Sequence, residues 1–165
     1  MASNNRFAPS SNGVSHGNAP FVSTADQLLE QFQRVEKAWK MAEDKLASTH
    51  VPIDVRVKVG SYTDYADDDP HEQYPIAEMT TYLGYCRVKG ARRICEVVRR
   101  DFIQGPPEFD ESITPIVECP VDDRLAMFDT FQRLYDEALA VSKAYVSNIK
   151  EKVDQFEQSL IPSLF

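Results

Sequence analysis

Long apolar runs are missing from this sequence. No stretch of eighteen apolar residues occurs, so no transmembrane helix is expected. The first residues carry no apolar core of a secretory signal. Cysteine is scarce: Cys86, Cys95 and Cys119 lack the spacing of a disulfide framework. Without an export signal, that scarcity favours a reducing compartment, and the expected location is cytoplasmic. A surplus of positive charge is absent too. The net charge of −8 disfavours nucleic acid or an anionic membrane surface as the overall partner. No G-x-S-x-G, P-loop, dinucleotide fingerprint, zinc-ligand spacing or H-E-x-x-H motif occurs. The sequence therefore assigns no residue to catalysis and implies no metal or cofactor.

Glycine and proline are absent in one place that matters, the forty-one residues between Pro120 and Pro162. Phe128, Phe131, Tyr135, Ala138, Ser142, Tyr145, Ile149 and Phe156 recur there at helical spacing, predicting a long helix from Val121 to Leu160. A continuous helix of that length would run roughly 60 Å. A domain of this size should be about 40 Å across. The helix must overhang its domain, bend, or find a partner.

Upstream, residues 1–24 are rich in Ser, Asn, Gly and Pro, with Arg6 the one Lys, Arg, Asp or Glu among them. They are expected to form a disordered tail, followed by a single domain over 25–165. A first helix is predicted from a Ser23 or Thr24 cap, with a narrow seam of Leu28, Phe32, Val35, Trp39, Ala42 and Leu46. Such a seam suits packing against the long C-terminal helix, within one chain or between two.

Val51 to Gly60 alternates apolar and charged residues, the mark of a strand with one wet face, and Pro52 points to a sheet edge. Ser61 to Pro75 reads as an acidic loop holding Asp64, Asp67, Asp68, Asp69, His71 and Glu72. It lacks the glycine and terminal glutamate of a calcium-binding loop, so solvated carboxylates are favoured over a metal site. Glu78–Val88 and Arg92–Ile103 read as a hairpin turning on Gly90-Ala91, which closes on Lys89 with Arg92, pairs Leu83 with Val98 and sets Cys86 opposite Cys95. The competing turn on Lys89-Gly90 opposes Arg87 with Arg92 and requires a positive φ at Lys89. Ile113–Cys119 suggests a short edge strand weakened by Pro115. The expected fold is α+β: an antiparallel three- to four-stranded meander with an N-terminal helix and a long C-terminal helix on one face.

Three clusters invite chemistry. Arg87, Lys89, Arg92, Arg93, Arg99 and Arg100 hold a third of the eighteen basic residues and form a basic hairpin patch, with Tyr82 and Tyr85 available for stacking. Pairing with nearby carboxylates is the favoured reading of these charges. Cys119 precedes a helix N-terminus, where a thiol pKa can fall, yet no histidine has the spacing of a catalytic partner. Tyr62, Tyr65, Tyr74, Tyr82 and Tyr85 would line a pocket between sheet and helices if the chain were a small enzyme or ligand-binding domain. The feature with most physical content is apolar helix surface that one chain does not cover. The helix interaction face is expected to comprise Leu28, Phe32, Val35, Trp39, Phe128, Phe131, Tyr135, Tyr145, Ile149 and Phe156, with Leu160, Ile161, Leu164 and Phe165 beyond. The sequence is therefore read as a non-enzymatic interaction module, an adaptor, assembly factor or chaperone-like subunit, forming a homo-oligomer through its helices and able to take a protein partner.

Overall fold

The computed structural model describes residues 19–66 and 74–160 of the chain. In order come α1 (Ala19–Ala47), β1 (Val55–Tyr65), β2 (Pro75–Val88), β3 (Ala91–Phe102), β4 (Phe109–Pro115), a 3-10 turn (Ile116–Glu118), α2 (Val121–Ala126) and α3 (Phe128–Leu160). The four strands form one antiparallel sheet in the order β1-β2-β3-β4, so the α+β meander expected from the sequence is the fold.

Both helices lie on one face of that sheet. Trp39 and Leu46 of α1, Leu134 and Ala138 of α3, and Val55, Leu83, Tyr85 and Ile94 of the strands form the main core, together with Met127, Ile116 and Cys119. α1 and α3 run parallel: Trp39 stacks on Phe128, Lys45 sits 4.0 Å above the Tyr135 ring, and Ser142 donates to the Thr49 carbonyl. Because they run parallel and are staggered, α1 overhangs at its N-terminal end and α3 at its C-terminal end.

Several boundaries differ from the sequence reading. α1 begins at Ala19, ahead of Ser23 and Thr24; Pro20 falls in its first turn, where a missing N–H has no consequence. Residues 1–18 lie outside the described residues. β1 starts at Val55, not Val51, although Val51 still fills the core. It continues to Tyr65, into the segment expected to be loop, and a register shift between Lys58 and Gly60 turns Val59 outward. Residues 67–73, with most of the acidic loop, lie outside the described residues. β4 is Phe109–Pro115 rather than Ile113–Cys119, because Pro115 ends the ladder and the chain then tightens into the 3-10 turn.

The hairpin turns on Lys89-Gly90 and not on the expected Gly90-Ala91. Lys89 and Gly90 sit at φ 49° and 88°, and Val88 pairs with Ala91. Positive φ at both central residues is the turn whose twist matches paired strands. Arg87 does stand opposite Arg92, but Arg92 turns aside to the carbonyls of Pro52 and Ile53 and to Asp54, so the two charges do not confront each other. Leu83 therefore pairs with Glu96, and Cys86 opposes Arg93 while Cys95 opposes Gly84. The slip is two residues, which keeps each side chain on its expected face.

The face away from the helices has its own small core. Cys86, Cys95 and Val97 are fully buried there, with Tyr82 and Val88 packed around them. Arg56 of edge strand β1 reaches across the sheet to Glu111 of edge strand β4, with two bonds of 2.6 and 3.0 Å. Gly84 makes that crossing feasible: a Cβ there would stand 2.8 Å from Cys86 Sγ and 3.3 Å from Arg56 Cγ.

Candidate interaction surface

Helical spacing alone does not say which part of a seam its own domain covers. Along α3, Thr130, Leu134 and Ala138 are buried, and Phe131, Tyr135, Val141 and Ser142 are partly so. From Lys143 to Leu160 every residue is exposed. Tyr145, Ile149, Val153, Phe156 and Leu160 recur there at four, four, three and four residues, on the face that carries Leu134 and Ala138 further up. Tyr145 is 49% exposed and Phe156 63% exposed, so the stripe is open to solvent in one copy of the chain. Val146, 65% exposed, borders it. At 1.5 Å per residue, the stripe from Tyr145 to Leu160 is about 22 Å long.

The predicted long helix is in fact two. The chain turns at Met127, which is buried and has φ −90° and ψ −7°, with no glycine or proline to mark the break. The turn sets α2 beside the overhanging half of α1. An open depression of about 470 Å³ lies between them, lined by Leu28, Phe32, Val35, Val121, Leu125 and Phe128.

The residues expected to form one helix face thus divide into two sets. Trp39, Phe128, Phe131 and Tyr135 pack on one another, with ring centroids 5.1 to 6.4 Å apart, and join the two helices within the chain, with Val35 partly buried against the same core. Leu28, Phe32, Tyr145, Ile149 and Phe156 remain exposed, at opposite ends of the molecule. Val153 and Leu125 stand outside the expected face; Val153 is legible as four residues beyond Ile149, whereas Leu125 owes its place to the break at Met127.

The basic residues of the hairpin do not form one patch. Arg92 and Arg93 lie near the turn and Arg99 and Arg100 about 20 Å away along the strand, on alternating faces. Four of the six are paired within the chain: Arg92 with Asp54, Arg93 with Glu43, Arg99 with Asp101 and Arg100 with Asp64. Glu43 also accepts the Ile94 backbone N–H, tying α1 to β3. Arg99 and Arg100 lie over the rings of Phe109 and Phe102. Arg87 and Lys89 stand exposed at the tip.

The tyrosines do not converge either. Tyr85 is buried in the core, Tyr82 points to the opposite face of the same strand, and Tyr62, Tyr65 and Tyr74 are exposed.

All three thiols are buried, and burial is the main cause that raises each pKa: Cys86 is pushed up, Cys119 to about 11 and Cys95 to about 12. Cys119 also lies 3.7 Å from the Glu96 carboxylate, which opposes a thiolate and outweighs the one-and-a-half-turn helix behind it. The shift is opposite to the lowering expected ahead of a helix. Each neutral thiol is thus favoured in the folded chain. Their contribution to stability is complete below the usual thiol value of 9.0 and is lost as pH rises from there towards 12. We expect Cys95 and Cys119 to alkylate at pH 8 at least about a hundredfold more slowly than a free thiol, Cys86 also more slowly, and all three to react fully in denaturant. A Cys119 that reacts like free cysteine would contradict its burial.

Among the described residues no helix is long and apolar enough to cross a membrane, and no three metal-ligating side chains come together. Comparison with known protein families, curated proteins and solved structures finds no match to this chain.

Proposed function

We propose that the chain is a protein-interaction module, an adaptor or assembly subunit, which associates with itself through the distal half of α3. One observation carries this reading: the apolar stripe that seals the core at Leu134 and Ala138 continues, uncovered, through Tyr145, Ile149, Phe156 and Leu160. Helix faces this apolar are stable in water when a second surface covers them. At about 25 cal/mol per Å² of apolar area, covering several such side chains is worth several kcal/mol. Among the described residues, Gln155 bonds Glu151 and Ser159 bonds the Phe156 carbonyl, both within α3 itself.

The small-enzyme reading requires a pocket with converging polar groups, and the scattered tyrosines give it no support.

Light scattering on a sizing column tests the proposal. The full chain, at two concentrations tenfold apart, is expected to show twice the chain mass of 18.7 kDa at the higher one. A monomer at both concentrations would remove the self-association reading.

A further inference from the structure

We propose that two copies of the chain pair tail to tail, their α3 tips antiparallel and stripe against stripe, about a twofold axis between Lys152 and Val153. The inference rests on the self-association reading and adds the occupant of the stripe and its orientation.

Orientation follows from what already lies on α3. Thr130, Leu134 and Ala138 share the face of the stripe, and the core strands β1 and β2 fill the space in front of them. Packed helices stand 8–10 Å apart. In a parallel pair, the second copy's proximal α3 would have to occupy the place those strands hold. An antiparallel pair overlaps only the tips, where residues 143–160 are exposed throughout, and leaves the two sheet-bearing bodies at opposite ends.

The side chains fit that arrangement in a single register. Setting Tyr145 opposite Leu160 of a second copy also sets Ile149 opposite Phe156, so each aromatic ring meets an aliphatic side chain. The twofold repeats both pairs, and the contact closes on itself rather than propagating.

Charge agrees. Between Lys143 and Lys152, three lysines and Glu151 leave a net charge of +2; between Val153 and Leu160, Asp154 and Glu157 leave −2. Antiparallel tips lay the basic half of one copy along the acidic half of the other, and parallel tips lay like on like. More specifically, Lys150 and Glu157 are two helical turns apart on the same border of the stripe, both exposed. The twofold brings Lys150 of one copy beside Glu157 of the other, twice per dimer.

Area is sufficient. Tyr145, Val146, Ile149, Val153, Phe156 and Leu160 are each about half exposed. At about 100 Å² apiece, two copies would bury roughly 1,200 Å², where specific interfaces begin.

A charge swap in the full chain, read by sedimentation equilibrium, tests the pairing, and both positions are exposed enough to change without disturbing the fold. Lys150→Glu and Glu157→Lys are each expected to weaken the dimer about tenfold, because each places two like-charged pairs across the axis. The double variant is expected to return to within about threefold of the parent. Singles without effect, a double variant weaker than either single, or mass that grows beyond two copies would overturn the antiparallel pairing while leaving self-association in place. A parent chain that is monomeric throughout would overturn both.

Discussion

Replacing Trp39 by alanine is expected to lower the unfolding free energy by about 3–5 kcal/mol, the range for removing a large aromatic from a core. Trp39 is 1% exposed. It is also where α1 meets α3: its ring stacks on Phe128 at 5.1 Å and 15°, and meets Phe131 edge-on at 6.3 Å. Offset-stacked and edge-to-face pairs of this kind add to area burial. Alanine would remove both ring contacts and leave a void under α1, between the helices and the sheet. For a chain this long, each kcal/mol moves the thermal midpoint by about 2–4 °C, so a drop of about 6–20 °C is expected. Phenylalanine at the same position should cost far less. The indole Nε1 is buried with no acceptor among the described residues, and phenylalanine removes that donor together with some volume. Urea titration at a concentration low enough to keep the chain monomeric measures both. A loss below 1 kcal/mol for alanine would mean that α1 does not rest on the core as described.

How much of this was legible in the sequence depends on whether a feature is local. Alternation at Val55 and Val57 and the spacing of Trp39, Leu46 and Ala138 are local, and they place strands and helices on the correct faces. The hairpin register is not. Lys89 in a positive-φ conformation costs roughly 1–2 kcal/mol, and the opposition of Arg87 and Arg92 looks unfavourable within the hairpin. Both objections dissolve on contacts from far along the chain: Arg92 bonds Pro52, Ile53 and Asp54, and Asp54 also accepts the Arg87 backbone N–H. The crossing from Arg56 to Glu111 was invisible for the same reason, since it joins residues 55 positions apart over a glycine whose purpose appears only once the strands are paired. The break at Met127 carries no glycine or proline signature; burial of Met127 and the docking of α2 beside α1 decide it. Of the surface residues, Leu28, Phe32, Tyr145, Ile149 and Phe156 were legible as apolar helix positions. Their separation into covered and uncovered sets was not, because periodicity records which way a residue faces and is silent on what stands there. The same limit explains the basic hairpin. Six cations close in sequence look like one patch, yet alternation along β3 sends Arg99 and Arg100 to opposite faces and carboxylates from four different segments meet four of the six.

Cutting the chain after Ala144 should abolish self-association and leave the fold almost unchanged. The expectation rests on how the two halves of α3 are used. Up to Ser142, which donates to the Thr49 carbonyl, α3 is bonded and packed to the body. Beyond it, residues 143–160 are exposed, and the side-chain bonds of Gln155 and Ser159 stay within the helix itself. Removing residues 145–160 takes none of the described side chains from the core, so the truncated chain should keep its unfolding free energy to within about 1 kcal/mol. The comparison must be made where the full chain is also monomeric, because a dimer is stabilised by its own association and would otherwise make the truncation look destabilising. Association should then be absent from the truncated chain at any concentration the full chain needs to pair. Light scattering reads the mass and circular dichroism the thermal midpoint. A truncated chain that still dimerises would move the contact to the other overhang, where Leu28, Phe32 and Leu125 line the depression beside α2. A truncated monomer that melts far below the full monomer would show that the tip folds back on its own body, so that its stripe is not free for a second copy.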